Sequence, residues 1–176
     1  MHETEFDNRL VKAWKKFHIY RENLCDKVHS LKKRLRLFDS VITPTVLYGC
    51  GTWALTAKQR QRLRTNQRRM LRRVVGKPWT VTDDDDTTIG DFSTWIRGTT
   101  HQLQDRMGNR QVTDWMQEQL KRKWKWAKDC ARRTHNRWTT KLLNLTLEQN
   151  RPRGRPCLRW SDDIQKCCEV QGHYFG

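Results

Sequence analysis

The stretch Leu47-Tyr48-Gly49-Cys50-Gly51-Thr52-Trp53-Ala54-Leu55 decides how this chain folds. It is a short apolar run cut by two glycines, and it leads directly into residues 57–82, which contain no acidic side chain and nine Lys and Arg. Glycines at this spacing mark a turn, and the apolar residues around them must be buried. The sequence therefore joins a compact apolar turn to a strongly cationic helix.

Upstream, Phe6, Leu10, Ala13, Trp14, Phe17, Tyr20 and Leu24 recur every three or four residues, which predicts one amphipathic helix over about residues 4–24. A second helix opens at Ser30 as N-cap and runs through Leu31, Leu35, Phe38 and Ile42. Pro44 lacks a backbone donor, so a kink or restart is expected there. Downstream, Thr56 and Gln59 form a capping-box signature. Leu63, Met70, Leu71, Val74 and Val75 make a thin apolar stripe, and Gly76 and Pro78 stop the helix. Lys58, Arg60, Arg62, Arg64, Arg68, Arg69, Arg72 and Arg73 surround the rest of its circumference and are the first candidates for phosphate contact.

A further helix is expected from about Thr113, with Met116, Leu120, Trp124, Ala127 and Ala131 as its apolar stripe. Its polar face carries Arg122, Lys123 and Lys125, which join the candidate contacts. Trp115 and Trp126 lie off the stripe and either enlarge the core or offer stacking faces, the core being favoured. The run Asn150 to Cys157 is broken by two prolines and a glycine, so Arg153, Arg155 and the following Arg159 sit on an extended cationic segment. That segment reads equally as a groove-binding hook or a basic linker.

The fold class expected is mainly α, a small thumb-like bundle followed by a second basic, Trp-rich helical segment. Charge suggests four segments. Residues 1–79 form the bundle, 80–112 an acidic spacer with a short helix near Thr87, 113–149 the Trp-rich segment, and 150–176 the tail. Residues 31–79 carry 13 basic and 1 acidic side chains, 80–120 carry 3 and 8, and 121–160 carry 13 and 2, so two cationic blocks flank an acidic stretch. The net charge of +17 over 176 residues points to nucleic acid as partner. No apolar run approaches the roughly 20 residues of a spanning helix, and the charged N-terminus does not read as a secretory signal, so no membrane partner and an intracellular, nuclear or cytoplasmic location are expected.

Leu, Ile, Val and Phe total 35 residues, near the one-fifth level below which a charged chain fails to form a core, and nine tryptophans partly offset this. The six cysteines lack CxxC spacing and are read as reduced thiols. Zinc at Cys167, Cys168 and His173 would need an unusual backbone at the adjacent pair, so no metal or cofactor is assigned. Asp83 to Asp86 read as a solvated loop and not as a metal site.

The run Ile42 to Leu55, followed by Asn66-Gln67-Arg68-Arg69-Met70-Leu71-Arg72-Arg73-Val74-Val75-Gly76, resembles the region just after the palm in reverse transcriptases of non-LTR, LINE-type retrotransposons. Arg122-Lys123-Trp124-Lys125-Trp126-Ala127, Asn136-Arg137-Trp138-Thr139-Thr140 and Gly154 to Ile164 are similar to the C-terminal end of the same endonuclease-reverse transcriptases. The resemblance covers about residues 5–168. It departs at Lys128-Asp129-Cys130-Ala131-Arg132, where the family commonly has Gly-His-Val/Ile-Ala-Arg.

The resemblance implies a thumb and a template-binding tail, without a catalytic centre. Its partners would be RNA or an RNA–DNA duplex and the polymerase palm of the parent polyprotein. Tyr48, Gly49, Trp53, Trp124, Trp138 and Trp160 are then structural. Reverse transcription needs paired metal-binding carboxylates on a strand-turn-strand hairpin. Asp162-Asp163 has no apolar strand on either side and reads as a helix start. On this reading the chain is a fragment beginning at an internal methionine, inactive alone. The alternatives are a stand-alone Mg²⁺-dependent polymerase or nuclease, and a pseudogene product that binds RNA through bulk charge.

Overall fold

The structure is a computed structural model, and it describes residues 3–76, 92–109 and 111–132 together with Trp160, Asp162 and Ile164. Every regular element among these residues is helical, so the chain is mainly α. Helices α1 (Glu3–Ile19), α2 (Arg21–Cys25) and α3 (Leu31–Val46) lead to a 3-10 turn at Cys50–Thr52. Then follow α4 (Ala57–Val75), α5 (Phe92–Gly108) and α6 (Trp115–Ala131). No described helix is long and apolar enough to cross a membrane.

Helix α1 buries Phe6, Leu10, Ala13 and Phe17, the stripe expected from their spacing. The single helix expected over residues 4–24 is instead two. The backbone leaves the helical well at Tyr20 (φ −95°, ψ 14°), whose side chain stays exposed, and α2 re-aims Leu24 into the core. Helix α3 starts after Ser30, as expected, although that side chain makes no capping bond. It runs through Pro44 without the expected restart. Pro44 and Ser40 both face solvent, where water can take the carbonyl that the proline leaves unpaired.

Helix α4 is bounded as its sequence indicates. Thr56 Oγ1 accepts from the Gln59 N–H at 3.2 Å while Gln59 Oε1 accepts from the Thr56 N–H at 3.0 Å, completing the capping box. Gly76 ends the helix at φ 82°, a left-handed conformation that glycine adopts without a Cβ penalty. The guanidinium of buried Arg34 donates to the carbonyls of His29 and Val74, placing a cation at the C-terminal end of α4, where the helix dipole favours one.

One cluster of buried side chains takes residues from every long helix. Phe38 of α3 stacks on Trp115 of α6, with ring centroids 5.8 Å apart and planes within 6°. The Trp115 indole N–H donates to Thr43 Oγ1 at 2.9 Å. Leu103 of α5 and Val112 belong to the same core, which therefore crosses the charge-derived boundaries at 79/80 and 112/113. The acidic segment contributes a 17-residue helix packed on α4, longer than the short helix expected there. Asp83 to Asp86 and Thr87 lie outside the described residues.

The junction before α6 is tied by polar bonds. Asp39 Oδ2 accepts from both the N–H and the hydroxyl of Thr113, at 2.8 and 3.0 Å. Gln67 of α4 donates to the Thr113 carbonyl at 2.5 Å and accepts from the Trp115 N–H at 3.1 Å. Asp114 caps α6 through its side chain. Because Trp115 is fully buried, Trp115→Ala is expected to cost about 3–5 kcal/mol in urea denaturation, while the half-exposed Phe92→Ala stays within about 0.5 kcal/mol.

Candidate nucleic-acid interface

The glycine turn between α3 and α4 pairs the Leu47, Gly49 and Cys50 carbonyls with its own N–H groups and still offers carbonyl lone pairs to neighbouring donors. Helix α6 supplies the donors. Arg122 Nη1 reaches the Leu47 carbonyl at 3.4 Å, Gln119 Nε2 the Cys50 carbonyl at 3.2 Å, and Lys123 Nζ the Trp53 carbonyl at 3.1 Å. The Trp160 indole N–H completes the set on the Gly51 carbonyl at 2.8 Å. Buried carbonyls of this kind are costly unless paired, so the turn and α6 depend on one another.

Two glycines make that approach possible. Gly49 has φ 67° and starts the 3-10 turn from a left-handed backbone. At Gly51 a Cβ would lie 3.3 Å from the Arg122 carbonyl oxygen, so α6 packs closely enough that a larger residue would push its backbone by a few tenths of an ångström. Trp53 is buried and meets Phe6 edge-on at 6.5 Å. Trp160 sits edge-on to Trp126 at 4.7 Å.

These contacts move several residues away from the roles expected of them. Lys123 is only 1 % exposed, with its ammonium on the Trp53 carbonyl and 5.2 Å from the Trp160 ring, so it cannot reach a phosphate. The expected apolar stripe of α6 is rotated by about one position. Met116 is buried as expected, but it is joined by Trp115, Gln119, Lys123 and Cys130, whereas Leu120 and Trp124 are half-buried. Gln119 and Lys123 escape a hydrophobicity pattern because they are polar, and the glycine turn that needs donors is the signal that could have found them. Tyr48, expected to be a structural residue, is 70 % exposed, and the Arg9 guanidinium lies 4.9 Å from its ring centre.

On α4 the cations separate into three groups. Arg72 is buried and donates to Thr99 Oγ1 at 2.9 Å and Thr100 Oγ1 at 2.7 Å, fastening α5. Burial, and secondarily the charge of Arg68, lowers its pKa from the ordinary guanidinium value. Arg62 is paired with Asp7 of α1 and lies over Phe6. Neither has the freedom expected of it as a phosphate ligand.

Arg69 and Arg73 form the second group. Their guanidinium carbons lie 5.9 and 5.1 Å from the centre of the Trp14 ring, and that indole is fixed by its N–H on Asn66 Oδ1 at 2.8 Å. Neither makes a hydrogen bond or ion pair among the described residues, so the aromatic face orders these side chains without neutralising them. The third group is Lys58, Arg60, Arg64 and Arg68. Lys58 and Arg64 are exposed and Arg60 and Arg68 half-buried. From Lys58 to Arg73 the helix rises about 22 Å, roughly six base-pair steps of B-form duplex.

Helix α6 adds exposed Lys125 and Arg122, the latter also donating to Glu118 at 2.7 Å, an interaction that raises its pKa. Arg153, Arg155, Arg159, Trp138, Asp163, Cys167, Cys168 and His173 lie outside the described residues. Among the described residues no group of three or more His, Cys, Asp or Glu could hold a metal ion.

The fold and the composition define a mainly α, strongly basic protein of net charge +17. The chain is 30 % identical over 164 residues to a protein of Caenorhabditis elegans described as transposon-derived, a match covering 92 % of this chain and 53 % of that protein. It thus spans about half the length of the curated relative it matches. No family model matches the chain, and no solved structure matches it.

Two outcomes test the turn. Gly51→Ala pushes a methyl group against the α6 backbone and is expected to cost about 1–3 kcal/mol in chemical denaturation. The Cys50 thiol is pushed above its ordinary value of 9.0, mainly by burial. The folded thiol thus keeps its proton to higher pH than the unfolded one. The stability this gives is full below the unfolded value and is lost as pH rises toward the folded one. Cys50→Ala should remove part of the loss of stability seen above pH 9.0, as read from denaturation midpoints across that range.

Proposed function

We propose that this chain is a nucleic-acid-binding, thumb-and-tail part of a LINE-type retrotransposon reverse transcriptase, with the catalytic palm supplied by the parent polyprotein. The observation that carries the proposal is the outer face of α4. Arg64, Arg69 and Arg73 project from a helix anchored on the core, and none has a hydrogen-bond or ion-pair partner among the described residues. A sugar-phosphate backbone lying along this face would neutralise them and relieve the repulsion between neighbouring guanidiniums.

Two further points support the reading. The segments around residues 42–55 and 122–127, which separately resemble the family, meet at the glycine turn as parts of one packed unit. The transposon-derived relative is in keeping with a retrotransposon origin. Phosphate contacts of this kind set position and affinity with little reading of sequence, as suits a surface that must travel along its template.

The test is binding of an RNA–DNA hybrid and of B-form DNA across a salt series. Each phosphate engaged contributes about −0.9 to the slope of log K against log salt on B-form duplex. Arg64→Gln, Arg69→Gln and Arg73→Gln together should make that slope shallower by roughly 2 to 3 and leave stability unchanged. Trp14→Ala should weaken binding without altering charge, because it releases two ordered guanidiniums. Affinity indifferent to salt, or a triple variant that binds as the parent does, would contradict the proposal.

A further inference from the structure

A second basic surface lies away from α4. Between α3 and the connection from α5 to α6 is an open cleft of about 820 Å³, within the range of small-ligand sites. Its floor includes Leu31 and Leu35, and Lys32, Arg36 and Arg106 bring three cations to its walls. No residue of α4 lines it.

The charge of the cleft is not balanced from within. Its one carboxylate among the described residues, Asp39, already accepts from Thr113 N–H, Thr113 Oγ1 and Thr43 Oγ1, so its lone pairs serve the fold. Lys32 and Arg36 make no hydrogen bond or ion pair among the described residues. Arg106 is held by a neutral partner, donating to Gln111 Oε1 at 3.0 Å, which fixes the guanidinium and keeps its charge. That leaves the Gln111 amide NH₂, together with the Asn109 side-chain amide, as polar groups at the rim.

We propose that this cleft binds a single unpaired nucleotide unit, with the phosphate between Arg36 and Arg106 and the base over Leu31, which is only partly buried. The chemistry selects this ligand on three counts. Clustered guanidiniums suit a phosphate, an apolar floor suits a planar base, and side-chain amides can both donate to and accept from a base edge. An inorganic anion would use only the first of these. The cleft is distinct from α4, so it can hold one unpaired nucleotide while a duplex occupies the long helix, and it can fail without affecting that reading.

The test is calorimetric titration of the full chain with adenosine 5′-monophosphate, adenosine and inorganic phosphate. The nucleotide is expected to bind at least tenfold more tightly than either part, and Arg36→Gln or Arg106→Gln to weaken it about tenfold. Arg36 is exposed, so its variant should fold even if the Arg106 variant, whose side chain helps hold the α5–α6 connection, does not. The Arg64, Arg69 and Arg73 variants should leave this binding intact. Competition by a single strand with a 5′-phosphate separates the sources: a strand that binds more tightly than the free nucleotide assigns the site to strand ends, and equal binding assigns it to free nucleotide. Binding no tighter than inorganic phosphate, or unchanged by both cleft substitutions, overturns the proposal.

Discussion

The four hydrogen bonds that α6 and Trp160 make to the carbonyls of the glycine turn are the constraint on which the rest of the structure depends. Within the turn the Cys50 N–H bonds the Leu47 carbonyl and the Trp53 N–H the Cys50 carbonyl, so those two oxygens take a second donor from α6, while the Gly51 and Trp53 carbonyls take Trp160 and Lys123. An apolar helix in place of α6 would deprive the Trp53 carbonyl of the Lys123 ammonium and forfeit the second bonds that Gln119 and Arg122 give to Cys50 and Leu47. The same requirement explains a lysine that is 1 % exposed and a glycine at the point of closest approach.

That arrangement fixes where the remaining cations can go. Arg34 serves the end of α4, Arg72 holds α5, Lys123 serves the turn, and Arg62 is tied to α1. Each is a cation used as a hydrogen-bond donor inside a small protein with few large aliphatic residues, Arg34 and Arg72 reaching two acceptors apiece. With only 35 Leu, Ile, Val and Phe in 176 residues, polar clamps and tryptophans hold helices that a larger core would hold by area alone. The remaining cations of α4 and α6 face outward, as do Lys32 and Arg36 of α3, so the charge that remains for a partner is a subset of the +17.

Periodicity made much of the fold legible. The buried face of α1, both ends of α4 and the placement of Trp53 follow from spacing, capping residues and glycines, which act locally, whereas Trp115 lay off its stripe and the core was favoured only by the size of its ring. The breaks were less visible. The interruption at Tyr20 and the continuation through Pro44 depend on which side of a helix faces solvent, a tertiary fact. On α6 the rotation of the buried face was hidden because polar residues occupy it. For the candidate interface, the sequence singled out α4 but treated its cations as equivalent. Only the positions of Asp7, Trp14, Thr99 and Thr100 separate Arg62 and Arg72, which stabilise the fold, from Arg69 and Arg73, which are held ready on an indole.

The central claim is that the outward cations of α4 meet nucleic acid while the inward ones hold the protein together. It is tested most directly by arginine-selective chemical modification of the chain with and without an RNA–DNA hybrid, read out residue by residue by mass spectrometry. The account expects Arg64, Arg69 and Arg73 to react freely in the protein alone and to be protected by the hybrid, with Arg34 and Arg72 unreactive in both. Equal reactivity of the α4 arginines with and without the hybrid, or protection confined to other helices, would contradict it.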